Sequence, residues 1–154
     1  TMYDAFACTK SHKLYLLQQR CLTDFCDLLS KCHKMPEPTA RIYIAEILLA
    51  VEHVHKCGFV YRDLKLENVM IQESGHIAIS DFDLSLPYPP PEGGSIWKCQ
   101  KMCRSNGDGG EEGEEGQQQQ MYGTVDYLSP EVVKGNFHIP ASDYWAMGVL
   151  LYEM

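Results

Sequence analysis

The sequence is short of positive charge: 13 Lys and Arg stand against 21 Asp and Glu, for a net charge of −8 with His neutral. Such a balance gives no general attraction for nucleic acid or an anionic membrane surface, and neither is expected as a partner. The excess is partly local, since Glu111, Glu112, Glu114 and Glu115 supply half of it. A long apolar run is also missing. The most hydrophobic window, IYIAEILLAVEHVH, is broken by Glu46, Glu52 and His53, and is too short and too charged to span a bilayer. The opening TMYDAFACTK has no basic start followed by an apolar core, so it does not read as a secretory signal. The seven Cys are odd in number and irregularly spaced. They read as reduced thiols of a cytoplasmic or nuclear protein. No internal repeat is present.

What is there is the composition of a folded domain, with 154 residues of which 45% are hydrophobic. Residues 3–8 and 13–18 read as two strands joined by a polar turn, and LTDFCDLLSK (22–31) has helical apolar spacing. After KMPEP a second helix is expected from near Pro38 and Thr39 to Lys56, with Gly58 as its stop. Its apolar residues wrap most of the circumference, which predicts burial all round. FVY, NVMIQ and HIAISDF follow as short strands, the last two forming a hairpin around Gly75. Residues 87–120 are rich in Gly, Pro, Glu and Gln and predict a disordered insertion. Order is expected again from MYGTVDYLSPEVV into an apolar helix.

The chemistry is concentrated in FVYRDLKLENVMIQESGHIAISDFDLS, residues 59–85. Asp63, Lys65 and Asn68 fall within six residues, and Asp81 and Asp83 lie beyond the hairpin. Phosphoryl transfer needs a carboxylate to orient a hydroxyl and take its proton, a cation beside the moving phosphate, and oxygen ligands for Mg²⁺. Asp63, Lys65, and Asn68 with Asp81 match those needs in that order. Mg²⁺ keeps several waters and phosphate oxygens, so one carboxylate and one amide suffice.

YRDLKLEN followed by DFD resembles the catalytic and metal loops of eukaryotic protein kinases, H-R-D-L-x-x-x-N and D-F-G. Tyr61 in place of His, with Lys65 and Glu67, is similar to the AGC group of serine/threonine kinases. GTVDYLSPE resembles the segment that shapes a kinase's substrate site, and SDYWAMGVLLYEM resembles its central helix. The resemblance implies an α+β, protein-kinase-like fold, mainly the helical C-terminal lobe with a remnant of the N-terminal lobe sheet. It implies ATP and Mg²⁺ as cofactors, protein substrates carrying Ser or Thr, and an upstream regulatory kinase. Asp63 and Lys65 would be catalytic, Asn68 and Asp81 metal ligands, and Gln19, Cys21 and Asp24 would meet the nucleotide. Thr124, bonded to Asp63 and Lys65, and Glu67 would dock the substrate, an acid there suiting basic sequences. Arg62, Glu131 and Asp143 would be structural or regulatory, with Asp143 bracing the catalytic loop.

Several departures accompany the resemblance. No Gly-rich loop or strand Lys is recognised, which implies a partial domain opening at the small lobe's fourth strand and ending inside the central helix. On that reading residues 1–21 are the end of the small lobe and the hinge, and 22–86 the large lobe with its catalytic and metal loops. Residues 87–120 are an activation-segment insertion, and 121–154 the docking segment and the start of the central helix. Asp83 replaces the usual Gly, at an expected backbone cost; it is either a tolerated loop residue or a neighbour of a second metal. Gln120 stands where AGC kinases usually carry a phosphorylated Thr that Arg62 would hold. The Glu111–Glu115 cluster is either a solvated loop or a substitute for that phosphate. Cys99 with Cys103, and His53, His55 and Cys57, lack a second pair spaced for zinc. The Pro run at 87–91 reads as a spacer or a polyproline ligand. The alternative to an enzyme is a kinase-shaped binding module, either a pseudokinase or a truncated product. Small-molecule phosphotransferases share the Asp-x₄-Asn loop but not the GTVDYLSPE segment.

Overall fold

A computed structural model describes residues 2–10, 12–89 and 123–154. Most of the insertion expected at 87–120, with Cys99, Cys103, the Glu111–Glu115 cluster and Gln120, lies outside the described residues. Strands β1 (Met2–Cys8) and β2 (Lys13–Gln18) form an antiparallel ribbon, with a register shift near its start. A short strand β3 (Thr23–Asp24) then leads into helix α1 (Phe25–Cys32). The helix begins three residues later than its apolar spacing predicted. The Asp24 carboxylate caps it by accepting from the Asp27 N–H at 2.7 Å. Thr23, β-branched, pairs instead with Ile71.

Helix α2 (Glu37–Lys56) has Pro38 in its first turn, where the missing N–H is harmless. Burial all round is not what it shows. It buries a stripe of Ala40, Ile47, Val51 and Val54, while Ile42 (62% exposed) and Leu49 (64% exposed) face outward. Apolar residues on all sides of a helix are buried only where something packs on each side. Here α2 packs against strands β4 (Phe59–Val60) and β6 (Ile77–Ile79) and helix α4 (Pro140–Glu153).

Strand β5 (Val69–Ile71) pairs with β6, Val69 opposite Ile79 and Ile71 opposite Ile77, and with β3 on its other side. The β5–β6 turn closes through Gly75, whose φ of +85° favours a residue without Cβ. Strand β7 (Leu86–Pro87) pairs with β4, so ordered backbone runs past the boundary expected at 87. The remaining elements are a 3₁₀ turn at Leu66–Asn68, another at Val125–Tyr127, and the single-turn helix α3 (Pro130–Val133). Phe25, Ile47, Val51, Tyr61, Leu64, Val69 and Leu150 form the centre of the core. Each such side chain, fully withdrawn from water, contributes about 1.5–3 kcal/mol. The core therefore lies where α1, α2, α4 and the hairpin meet, directly beneath residues 61–69. Among the described residues no helix is long and apolar enough to cross a membrane, and the five cysteines there form no disulfide with one another.

One polar tie fastens the hairpin to α2. Glu46 accepts from His76 Nδ1 at 2.7 Å and from the Ile77 N–H at 3.0 Å. Partial burial pushes the Glu46 carboxyl up, but these two hydrogen bonds outweigh it and hold it below the ordinary carboxylate range. A carboxyl lowered in the folded state stabilises the fold fully above its unfolded value, and that stabilisation disappears as pH falls through the folded value. Glu46→Gln should therefore lower stability at pH 7 by about 1 kcal/mol. The difference should begin to shrink only as pH falls below the ordinary Glu value of about 4.3 and should vanish below the folded-state value, as read from thermal midpoints across a pH series.

Candidate active site

Residues 61–68 link β4 to β5, and their backbone is held from beneath by one buried carboxylate. Asp143, in the first turn of α4, is 1% exposed. Its Oδ2 accepts from the Tyr61 N–H at 2.9 Å and its Oδ1 from the Arg62 N–H at 2.8 Å. His55 Nε2 lies 2.7 Å from the same Oδ2. This explains why the strand expected over FVY stops at Val60: the Tyr61 N–H is committed to α4. It also explains how Arg62 keeps a φ of +72°, a conformation that a bulky residue holds only when its surroundings impose it. The Arg62 side chain turns inward and donates from Nε to the Leu84 carbonyl at 2.7 Å.

Asp63 follows, 7% exposed, and three side chains converge on it. Lys65 Nζ reaches Oδ2 at 2.7 Å, and Asn68 Nδ2 donates to the same Oδ2 at 3.0 Å and to the Asp63 carbonyl at 2.9 Å. Thr124 Oγ1 donates to Oδ1 at 3.3 Å. The expected bond from Thr124 to Lys65 does not form; Lys65 pairs with the opposite oxygen of Asp63. Gly123 makes the approach of Thr124 feasible. Its φ is +98°, and a Cβ there would lie 2.8 Å from the Arg62 carbonyl oxygen.

The bonds from its Nδ2 fix the Asn68 amide, and Asn68 is next to Asp81 in space because the Ser80 N–H donates to the Asn68 carbonyl at 2.9 Å. Asp81 is exposed, with φ +56°. The strain expected at Asp83 is absent: its φ is not positive, and the left-handed position of this loop falls on Asp81. The Tyr61 ring lies beneath the loop, edge-on to Phe82 at 5.2 Å, with its hydroxyl donating to the Ser80 carbonyl. Burial, then the nearby Asp63 charge, pushes the Tyr61 phenol well above its ordinary range, so it remains a donor. Asn68 and Asp81 bring oxygen donors alone, the chemistry that suits Mg²⁺ rather than zinc. Among the described residues no three His, Cys, Asp or Glu converge as a ready-made metal site. His53 and Cys57 approach each other at 3.7 Å, but His55 has turned to Asp143.

A cavity of about 490 Å³ opens beside Asp81, lined by Gln19, Cys21, Met70 and Asp83 among others. Of the three residues expected at a nucleotide, Gln19 and Cys21 belong to this lining and Asp24 does not, its carboxylate being the α1 cap. On the other side of Asp63, Tyr127 carries a link that sequence reasoning missed. Its hydroxyl donates to the Glu153 carboxylate and accepts from the Leu66 N–H at 3.5 Å. The partners are 26 residues apart in the chain, with no local pattern to signal them. Glu67 is exposed close by. The Cys26 thiol is held above its ordinary range, by desolvation first and then by the carboxylates of Glu67, Asp24, Asp27 and Glu153. One small surface is therefore ringed by four acids. Glu131 lies apart, accepting from Ser142 Oγ at 3.2 Å. Its own backbone N–H in the first turn of α3, with the Ser142 hydroxyl, holds the carboxyl below the ordinary range.

Removing Asp143 should damage both stability and site geometry. Asp143→Ala leaves two buried N–H groups and His55 without their acceptor, and should destabilise the chain by about 3–5 kcal/mol, read as a lower urea midpoint with little change in slope.

Comparison with known proteins gives the family of the chain. The family described as "Protein kinase domain" matches residues 1–154. Serine/threonine-protein kinase nrc-2 of Neurospora crassa is 41% identical over 133 residues, covering 80% of this chain and 20% of that protein. Flippase kinase 1 of Saccharomyces cerevisiae is 37% identical over 166 residues, covering all of this chain and 17% of the relative. Phototropin-2 of rice, Oryza sativa subsp. japonica, is 36% identical over 146 residues, covering 86% and 16%. The chain thus spans a fifth or less of the length of these relatives. With a family match along its whole length and an α+β, protein-kinase-like fold, the chain belongs to the protein kinase domain family.

Proposed function

We propose that this chain carries the catalytic and metal loops of an AGC-type serine/threonine protein kinase that uses ATP and Mg²⁺ and prefers basic substrates. The observation that carries the reading is the convergence of Lys65, Asn68 and Thr124 on the Asp63 carboxylate. A carboxylate held by three donors has a fixed direction, which is what orienting an incoming hydroxyl requires. In the step proposed, the substrate hydroxyl oxygen bonds to the γ-phosphorus as the bond to the bridging oxygen of the departing diphosphate breaks. Asp63 receives the hydroxyl proton. Lys65, already beside Asp63, offers its ammonium to the oxygens of the moving phosphoryl group. Asn68 and Asp81 would hold Mg²⁺, which when bound neutralises phosphate charge. Gln19 and Cys21 would line the nucleotide's place in the cavity. Asp143 keeps the loop backbone in position without touching substrate.

The preference for basic substrates rests on the acids around Cys26. Glu67 and Glu153 lie on the Tyr127 side of Asp63, where a peptide presenting its hydroxyl would run. Arg side chains of a substrate would pair with these carboxylates. An upstream kinase and a cytoplasmic or nuclear site of action belong to the same proposal, as does the activation-segment role of residues 87–120.

The test is Mg²⁺-dependent transfer of labelled γ-phosphate to Ser/Thr peptides by the longest natural protein that contains this chain. An Arg-rich peptide should be phosphorylated at a higher kcat/KM than an acidic one of the same length. Asp63→Asn should reduce kcat by about 10²–10⁴-fold with little change in nucleotide affinity. A protein that binds neither nucleotide nor transfers phosphate would instead be a kinase-shaped binding module.

A further inference from the structure

The cavity beside Asp81 has two walls that belong to different parts of the fold. Met2 and Leu16 come from the β1–β2 ribbon, and Met70, Ala78 and Ile79 from the β5–β6 hairpin. Among the described residues β1 and β2 pair with each other and with no further strand, so no ladder of backbone hydrogen bonds places the ribbon against the hairpin. A side-chain bond does cross between the two walls: Gln19 Nε2 donates to Gln72 Oε1 at 3.2 Å. Both residues are half-buried, and both line the cavity. Gln72 is itself held. Its Nε2 donates to the Ile77 carbonyl at 3.0 Å, its backbone N–H donates to the His76 carbonyl at 2.9 Å, and its own carbonyl accepts from the Gly75 N–H at 3.0 Å. With its nitrogen turned to Ile77, the amide presents its oxygen toward Gln19, which must then donate. Ile77 in turn gives its N–H to Glu46 of α2 at 3.0 Å. A series of hydrogen bonds therefore leads from α2 through Ile77 and Gln72 to Gln19.

We propose that Gln72 is a positioning residue for the nucleotide. Through Gln19 it holds the segment between β2 and β3 against the hairpin, and so sets the width of the cavity before a nucleotide enters. The inference rests on the reading of this cavity as the nucleotide's place, and adds to it a residue that touches the site through another. A long Gln side chain on a half-exposed segment samples several rotamers, and a ligand that binds beside it has to order it. Where the tie already exists, that ordering precedes binding. Neither glutamine carries a charge, so the tie does not attract phosphate or compete with Asn68 and Asp81 for a cation. Its effect falls on nucleotide affinity, while the proton and phosphoryl steps stay with Asp63 and Lys65. The two residues are 53 positions apart, and nothing in the local pattern signals the pair.

The experiment is calorimetric titration of the longest natural protein that contains this chain with ADP in the presence of Mg²⁺, alongside steady-state kinetics with ATP. Gln19→Met, Gln72→Met and the double variant are compared with the parent; Met keeps the length of the side chain and removes its hydrogen bonds. Each single variant should bind ADP about two- to ten-fold more weakly. KM for ATP should rise to match, with kcat nearly unchanged, a split that general damage to the fold would not produce. In the Gln72→Met background, Gln19→Met should cause no further loss, because its partner is already gone. Unchanged affinity in Gln72→Met, with the parent binding normally, would overturn the inference and leave the nucleotide reading of the cavity intact. Losses that multiply in the double variant would also overturn it, since the two residues would then act separately. So would a fall in kcat that accompanies the rise in KM. A parent that binds no ADP would overturn the reading of the cavity and the inference with it.

Discussion

The structure depends on one buried carboxylate. Asp143 has almost no contact with water, yet it is surrounded by donors: two consecutive backbone N–H groups and the His55 ring. A charge in that position is tolerable only because every side of it is bonded. The consequence extends upward. Holding the N–H groups of Tyr61 and Arg62 stops the strand, forces Arg62 into a left-handed turn, and sends the next residue, Asp63, toward Thr124 and Asn68. The end of α2, the loop that follows it and the start of α4, far along the chain from both, are joined at a single side chain. The hydrophobic core below them, with Tyr61, Leu64 and Leu150 fully buried, keeps that arrangement dry.

Around this anchor the polar groups divide into two sides. One side faces the cavity, where Asp81 and Asp83 stand exposed and whose lining Gln19 and Cys21 share. The other faces Thr124, Tyr127 and the ring of acids at Glu67 and Glu153. Asp63 lies between the two with one oxygen turned to each set: Oδ2 to Lys65 and Asn68, Oδ1 to Thr124. A phosphoryl donor on one side and a hydroxyl on the other would meet at that residue. The Glu46 tie holds the hairpin against α2, at the end opposite Asn68 and Asp81, so that the hairpin moves with the core.

Much of this was legible in the chain, for physical reasons that differ by element. The β1–β2 ribbon and the β5–β6 hairpin are local, with strand-forming residues on either side of a polar or Gly turn, and they appear where the pattern put them. Helix α2 has its Pro at the start and its Gly after the end, and its bounds follow. The pattern could not tell which of its apolar sides would be covered, because periodicity records hydrophobicity and not neighbours. The start of α1 was hidden for a similar reason: Leu22 fits a helical stripe, but capping by Asp24 and the pairing of Thr23 with Ile71 decide the boundary.

The sequence by itself determined the site's chemistry, because Asp63, Lys65 and Asn68 are so closely spaced that the loop must bring them together. It determined as well that Asp81 would follow a hairpin returning to Asn68, since the two strands are short and the turn tight. Only the tertiary structure decided which oxygen of Asp63 each donor takes, and that Thr124 meets Asp63 and not Lys65. It alone joined Tyr127 to Glu153 and Glu46 to His76, pairs set by how α4 and α2 pack against the hairpin. It also moved the backbone strain of the loop after β6 from Asp83 to Asp81. Short-range spacing is written in the order of residues, whereas the partner of a long-range hydrogen bond is settled only when helices have packed and each buried donor has found an acceptor.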